Sequence, residues 1–233
     1  MDDDLFGDDA LDDLFNDDEL ALADDPTEAK KRVNPKNLEA RAMKTRDRLF
    51  VRQFSSERQL EEILDWDFEQ GAAYHVISGG DIDSLSFLHF ILRQQKLEYL
   101  ALSTWCMAQK DIEELDRYLT LGRIKRLDSY VGEIFKGSYG GEYLRLIALH
   151  EKHGGRIAIF RNHAKIFAGF GPRFDFVIES SANINTNPRA ENTVITINPD
   201  LARFYKAYFD AITSFERNFD NWEPYGLKKK RAK

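Results

Sequence analysis

The chain has 233 residues, 42% of them hydrophobic and 17 of them Phe, enough for one domain with a sizeable core, which excludes a polypeptide disordered throughout. Its one cysteine, Cys106, excludes an intramolecular disulfide. No apolar run approaches the ~18 residues of a membrane span, and the acidic start is unlike a basic-then-apolar secretory leader, so a cytoplasmic protein without a membrane partner is expected. The net charge of −7 hides an asymmetry. Residues 1–25 carry eleven Asp, one Glu and no Lys or Arg, which leaves 33 basic against 28 acidic residues, or +5, on the rest. A mildly basic body is compatible with a polyanionic ligand.

Residues 1–30 are charge-dense without apolar periodicity, and a disordered acidic tail is expected. An internal echo, "DDDLFGDD" then "LDDLFNDD", sets Leu5-Phe6 and Leu14-Phe15 among aspartates. Such a tail either keeps the chain soluble or docks, into a partner protein or into the chain's own basic cleft. It resembles the protein-recruiting tails of bacterial single-strand DNA-binding proteins. Residues 31–68 read as a helical extension: apolar residues recur at helical spacing from Asn37 to Arg52, and "SSERQLEEILDW" carries a helix start signal.

From 69 to 222 strand and helix patterns alternate. "AAYHVIS" is a strand, "GGDIDS" a capping turn and "LSFLHFILRQQ" an amphipathic helix. "LEYLALST" is a strand, "KDIEELDRYLTLG" a helix stopped by Gly122, and "IKRLDSYVG" a strand. "GGEYLRLIALHEKHG" is again a helix stopped by glycine. "RIAIF", "HAKIFAG", "FDFVIES" and "NTVITI" are short strands, and "PDLARFYKAYFDAITSFERNF" is a long closing helix. Parallel strands need helical crossovers, so this order predicts an α/β fold with a mixed β-sheet flanked by helices. The hairpin through "GFGP" supplies antiparallel pairing. Residues 223–233, with "LKKKRAK", form a basic C-terminal tail that, like "KKR" at 30–32, suits salt-sensitive phosphate contacts.

One pair of segments carries chemistry. In "RNHAKIF" a strand would send His163 and Lys165 to one face, about 6–7 Å apart. On the returning strand Ser181 and Asn183 would again share a face. A His, a Lys, a hydroxyl and an amide on one surface suit an oxyanion, most naturally a phosphate. Histidine is the member able to attack phosphorus or move a proton near neutral pH.

His163-Ala164-Lys165, a short hairpin, then Ser180-Ser181-Ala182-Asn183 resembles the His-x-Lys and Gly-Ser-x-Asn signature of the phospholipase D superfamily. Glu191 stands where that family often has a glutamate opening the next strand, holding the histidine. The likeness spans roughly residues 70–215. Two positions depart from the pattern. Phe170 falls where the family has an aspartate, with Asp175 further on, and Ser180 replaces the glycine. The resemblance implies His163, Lys165, Asn183 and Glu191 as catalytic residues, with Lys165, Ser181 and Asn183 on the phosphate. It implies a phosphohistidine intermediate, no metal and no other cofactor; the mildly basic body, the single motif copy and the lack of an amphipathic membrane helix favour nucleic acid, DNA foremost, over lipid as substrate. Two histidines are needed per site and this chain has one His-x-Lys, so a homodimer is implied. The alternative is a catalytically silent nucleic-acid-binding or scaffolding module whose acidic Leu-Phe tail contacts a partner protein.

Other signals are weaker. "HEKH" sets His150 and His153 at i, i+3 near a helix end, where the helix dipole alone favours histidine, and no metal is expected. Asp81 and Asp83 in "SGGDIDS" would repel an anion, so that turn reads as a cap, with Ser78 bordering the cleft. Trp105 follows a strand end, where α/β sheets place ligands; it reads as core or as a stacking platform for a base. Cys106 reads as a buried structural thiol.

Overall fold

The computed structural model describes residues 58–62, 67–80, 82–185, 189–216 and 222–227. The acidic tail with its Leu-Phe pairs, the helical pattern of 37–52, "KKR" at 30–32 and the end of the basic tail lie outside the described residues. Of the helix expected around "SSERQLEEILDW", residues 58–62 are helical.

The described residues include seven strands: β1 (Ala73–Ser78), β2 (Tyr99–Thr104), β3 (Leu127–Gly132), β4 (Ile157–Phe160), β5 (Lys165–Phe170), β6 (Asp175–Ser180) and β7 (Glu191–Thr196). Helices α1 (Ser84–Gln94), α2 (Gln109–Thr120), α3 (Phe135–Ser138), α4 (Gly140–His153) and α5 (Pro199–Asp210) follow the helical residues 58–62 among the described residues. The strands form one mixed sheet in the order β1-β7-β6-β5-β2-β3-β4. β2, β3 and β4 are parallel, joined by α2 and by α3–α4, while β5, β6, β7 and β1 pair antiparallel.

Alternation sorts the strand residues onto two faces. Leu100, Leu102, Phe167, Phe176 and Ile195 meet the apolar stripes of α1, α2 and α4, including Leu88, Leu115 and Leu146. Tyr99, Ala101, Ala168 and Val177 meet Ala202 and Phe209 of α5 on the other face. Each fully buried aliphatic side chain contributes about 1.5–3 kcal/mol. Tyr225 of the C-terminal segment stacks on Tyr99 with ring centroids 5.3 Å apart.

Two expectations change. The closing helix stops at Asp210 instead of running to 219. Beyond it the chain turns along the β4 edge, where the Phe215 N–H donates to Ile159 O at 2.7 Å and Ser214 Oγ accepts from the Ile159 N–H at 2.9 Å. Thr213 and Ser214 disfavour a continued helix, and their backbone instead covers an edge strand. Asp83 does occupy the position before α1, but its side chain makes no cap bond. Its carboxylate lies 3.3 Å from Lys110 Nζ on α2. Among the described residues no helix is long and apolar enough to cross a membrane.

Candidate active site

The strand directions bring the C-terminal ends of β1, β2, β3 and β6 and the starts of β5 and β7 to one end of the sheet. Register places Lys165 opposite Ser180, Ser180 opposite Thr193, and Ser78 opposite Glu191. Every residue named for phosphate chemistry in the sequence lies at this end.

His163 is exposed and sits two residues before β5, in the link from β4. Strand alternation therefore does not orient it. Lys165, the first residue of β5, is only 8% exposed, and its side chain turns back. Its Nζ lies 3.0 Å from His163 Nδ1, 3.1 Å from Nε2 and 2.9 Å from the His163 carbonyl oxygen. Burial, then the Lys165 charge, hold His163 below the ordinary imidazole range. Burial likewise lowers Lys165, against the pull of Cys106 and Glu191. The lowered shift biases the ring toward its neutral, nucleophilic form beside the lysine. Trp105 packs at 5.6 Å between ring centroids from His163, tilted by 57°.

On the other side of the site β6 ends at Ser180, so Ser181 and Asn183 lie beyond the strand and share no strand face. Ser180 Oγ meets Thr193 Oγ1 at 2.9 Å and accepts the Ala182 N–H at 3.1 Å, which tightens the turn. That hydroxyl gives Ser180 a role a glycine could not fill. The Ser181 hydroxyl donates to Glu191 and accepts the Asn192 N–H at 3.0 Å. Asn183 is held by its backbone: its carbonyl accepts from Ser84 Oγ at 2.8 Å, and its side-chain Oδ1 lies 3.5 Å from Thr104 Oγ1. Ser78, 8% exposed, closes β1 beside Glu191.

The structure thus joins His163, Lys165 and Trp105 in one contact group and Ser181 with Glu191 in another, the two linked through the charge of Glu191 on Lys165. Asp175 lies elsewhere. It faces Phe170 at the far end of the hairpin, 4% exposed, and accepts the Gly171 N–H at 3.3 Å. It braces the turn and is remote from His163. Asn162, Thr104 and Gly132 support the site but carry no chemical signature in the sequence. Adjacency to His163 was the one available pointer to Asn162.

Cys106 is buried at 2% exposure, as expected. His150 and His153 point to different partners. His150, 1% exposed, meets Ser129 Oγ at 2.9 Å, and His153 meets Asp116 at 2.7 Å. Burial pushes His150 down to about 4.

In the first turn of α2, burial pushes the carboxyl of Asp111 up to about 7, against Lys110 and with help from Asp83 and Glu114. One of its oxygens is buried without a hydrogen-bond partner among the described residues. Between about pH 4 and 7 the folded chain keeps this proton while the unfolded chain has lost it, so stability falls as pH rises through that window. Asp111→Asn should therefore match wild type near pH 3 and exceed it at pH 8 by roughly 2–4 kcal/mol. Urea melts at the two pH values check this, and equal stabilities at pH 8 would refute it.

No family model and no curated protein matches the chain. Solved structures overlap with it in part. A polyphosphate kinase from Porphyromonas gingivalis aligns at a TM-score of 0.47 and 17% identity over 67% of this chain and 27% of its own. TrmBL2, an archaeal chromatin protein described with a novel mode of DNA binding, aligns at 0.44 and 11% over 69% of this chain and 60% of its own. NucT from Helicobacter pylori aligns at 0.43 and 12% over 59% of this chain and 94% of its own. The chain therefore spans about a quarter of the kinase.

Proposed function

We propose that the chain is a metal-independent phosphodiesterase with phospholipase D-type chemistry, a cytoplasmic homodimer cleaving nucleic acid, DNA foremost. The observation that carries this reading is the His163–Lys165 contact. An exposed imidazole, biased toward its neutral form, lies against a buried ammonium at the sheet end that also gathers Ser181, Asn183 and Glu191. A phosphodiester placed there meets a nucleophile and a cation together.

In the first step a His163 ring nitrogen bonds to phosphorus while the bond to the leaving oxygen breaks. The partner's His163, as imidazolium, supplies the proton that oxygen takes. In the second step the same partner ring accepts a proton from water, whose oxygen displaces His163 from phosphorus. Lys165 holds the non-bridging oxygens with Ser181 and Asn183, and Glu191 fixes the Ser181 hydroxyl.

The test is cleavage of single- and double-stranded DNA and RNA by the full chain in EDTA, with sedimentation of the same sample. EDTA-resistant cleavage by a two-chain species is expected. A folded wild type without cleavage would favour the binding or scaffolding module, with the acidic Leu-Phe tail as its working part. Cleavage by a strictly monomeric species would remove the two-histidine scheme.

A further inference from the structure

Asn162 precedes His163 in the link from β4 to β5 and is 7% exposed. Its side-chain nitrogen donates toward Ser103 Oγ at 2.9 Å, Tyr130 O at 3.0 Å and Thr104 O at 3.2 Å. Its Oδ1 accepts the Ala164 N–H at 3.0 Å. An amide nitrogen has two hydrogens, so three acceptors saturate it. Through these bonds the residues on both sides of His163 are tied to the ends of β2 and β3.

Gly132 closes β3 against the same link. A Cβ there would stand 2.5 Å from Trp105 Cδ1 and 3.1 Å from the carbonyl oxygens of Asn162 and Trp105. Only a residue without a side chain lets the indole and the main chain at 162 close together this tightly. The indole so placed is the one that packs on the His163 ring.

We propose that Asn162 is a positioning residue, forming with Gly132 and Trp105 a bracket that holds the His163 imidazole against Lys165. Its effect on turnover rests on the phosphodiesterase reading; its effect on the ring does not. A fixed ring keeps one orientation toward its cationic neighbour and toward an incoming phosphorus, and a displacement of about 1 Å can cost on the order of 100-fold in rate. Asn162→Ala releases the link, since it removes both donors and the acceptor that shape it.

The test is an NMR titration of the His163 ring in the full chain, wild type against Asn162→Ala and Gly132→Ala, alongside EDTA-resistant turnover. Amide spectra verify the fold. In both variants the ring should titrate about 0.5 pH unit higher than in wild type, as it leaves its place against the Lys165 ammonium. kcat should fall about 10- to 100-fold with KM changed less than about threefold. An unmoved titration in the folded Asn162→Ala chain would overturn the bracket. Should that chain not fold, Gly132→Ala decides in the same way. A moved titration with no turnover in wild type would support the bracket and refute the phosphodiesterase.

Discussion

Replacing His163 with alanine should abolish EDTA-resistant cleavage, by about 1,000-fold or more, because the proposed scheme has its ring form the bond to phosphorus. The fold should survive. His163 is exposed, its ring packs against the half-buried Trp105, and its main chain is fixed by the hydrogen bonds of the neighbouring Asn162. Nucleic-acid affinity should change little, since the cation that meets phosphate remains. Comparing cleavage and binding of the two chains in one buffer checks both halves. Residual cleavage within about tenfold of wild type would mean that the nucleophile is another residue or a water.

Lys165→Gln should damage two quantities at once. The loss of the ammonium removes a charge-assisted contact to the non-bridging oxygens, with turnover expected to fall by about 100-fold or more and phosphate affinity by about tenfold. It also changes the pH profile. In the folded chain the Lys165 charge helps hold His163 below the ordinary imidazole range. The acid limb of kcat/KM should therefore lie lower in wild type than a free imidazole would set it. Without the cation the ring holds its proton to higher pH, and the limb moves up. A limb that stays in place would show that His163 is not the group being titrated.

Much of the fold was legible because its signals are local. The stripe of Leu85, Leu88, Ile91 and Leu92 announced α1, and glycines 122 and 154 marked where α2 and α4 end. α5 was overrun because its apolar spacing continues past Asp210, while the competing claim of the β4 edge on Ser214 and Phe215 is a tertiary contact. The site was legible as a set of residue types and only partly as geometry. His163 and Lys165 meet, yet through a lysine that folds back rather than through strand alternation. Ser181 and Asn183 lie past the end of β6, where period-two reasoning no longer applies. The roles of Asn162 and Gly132 depend on the ends of β2 and β3, far away in the chain, and no spacing rule reaches them.

The arrangement of strand ends has a consequence for how the chain acquires its function. Ser78, Trp105, His163, Ser181 and Glu191 come from separate strand ends, and the central β2–β5 pairing joins the parallel half of the sheet to the antiparallel half. Such non-local pairings close large loops and form slowly. Helices rest on local contacts, whereas the site needs strand ends that are far apart in the chain to come together. Under the phosphodiesterase proposal, competence arrives with the final docking of the strand ends, and a partly folded chain does not cut.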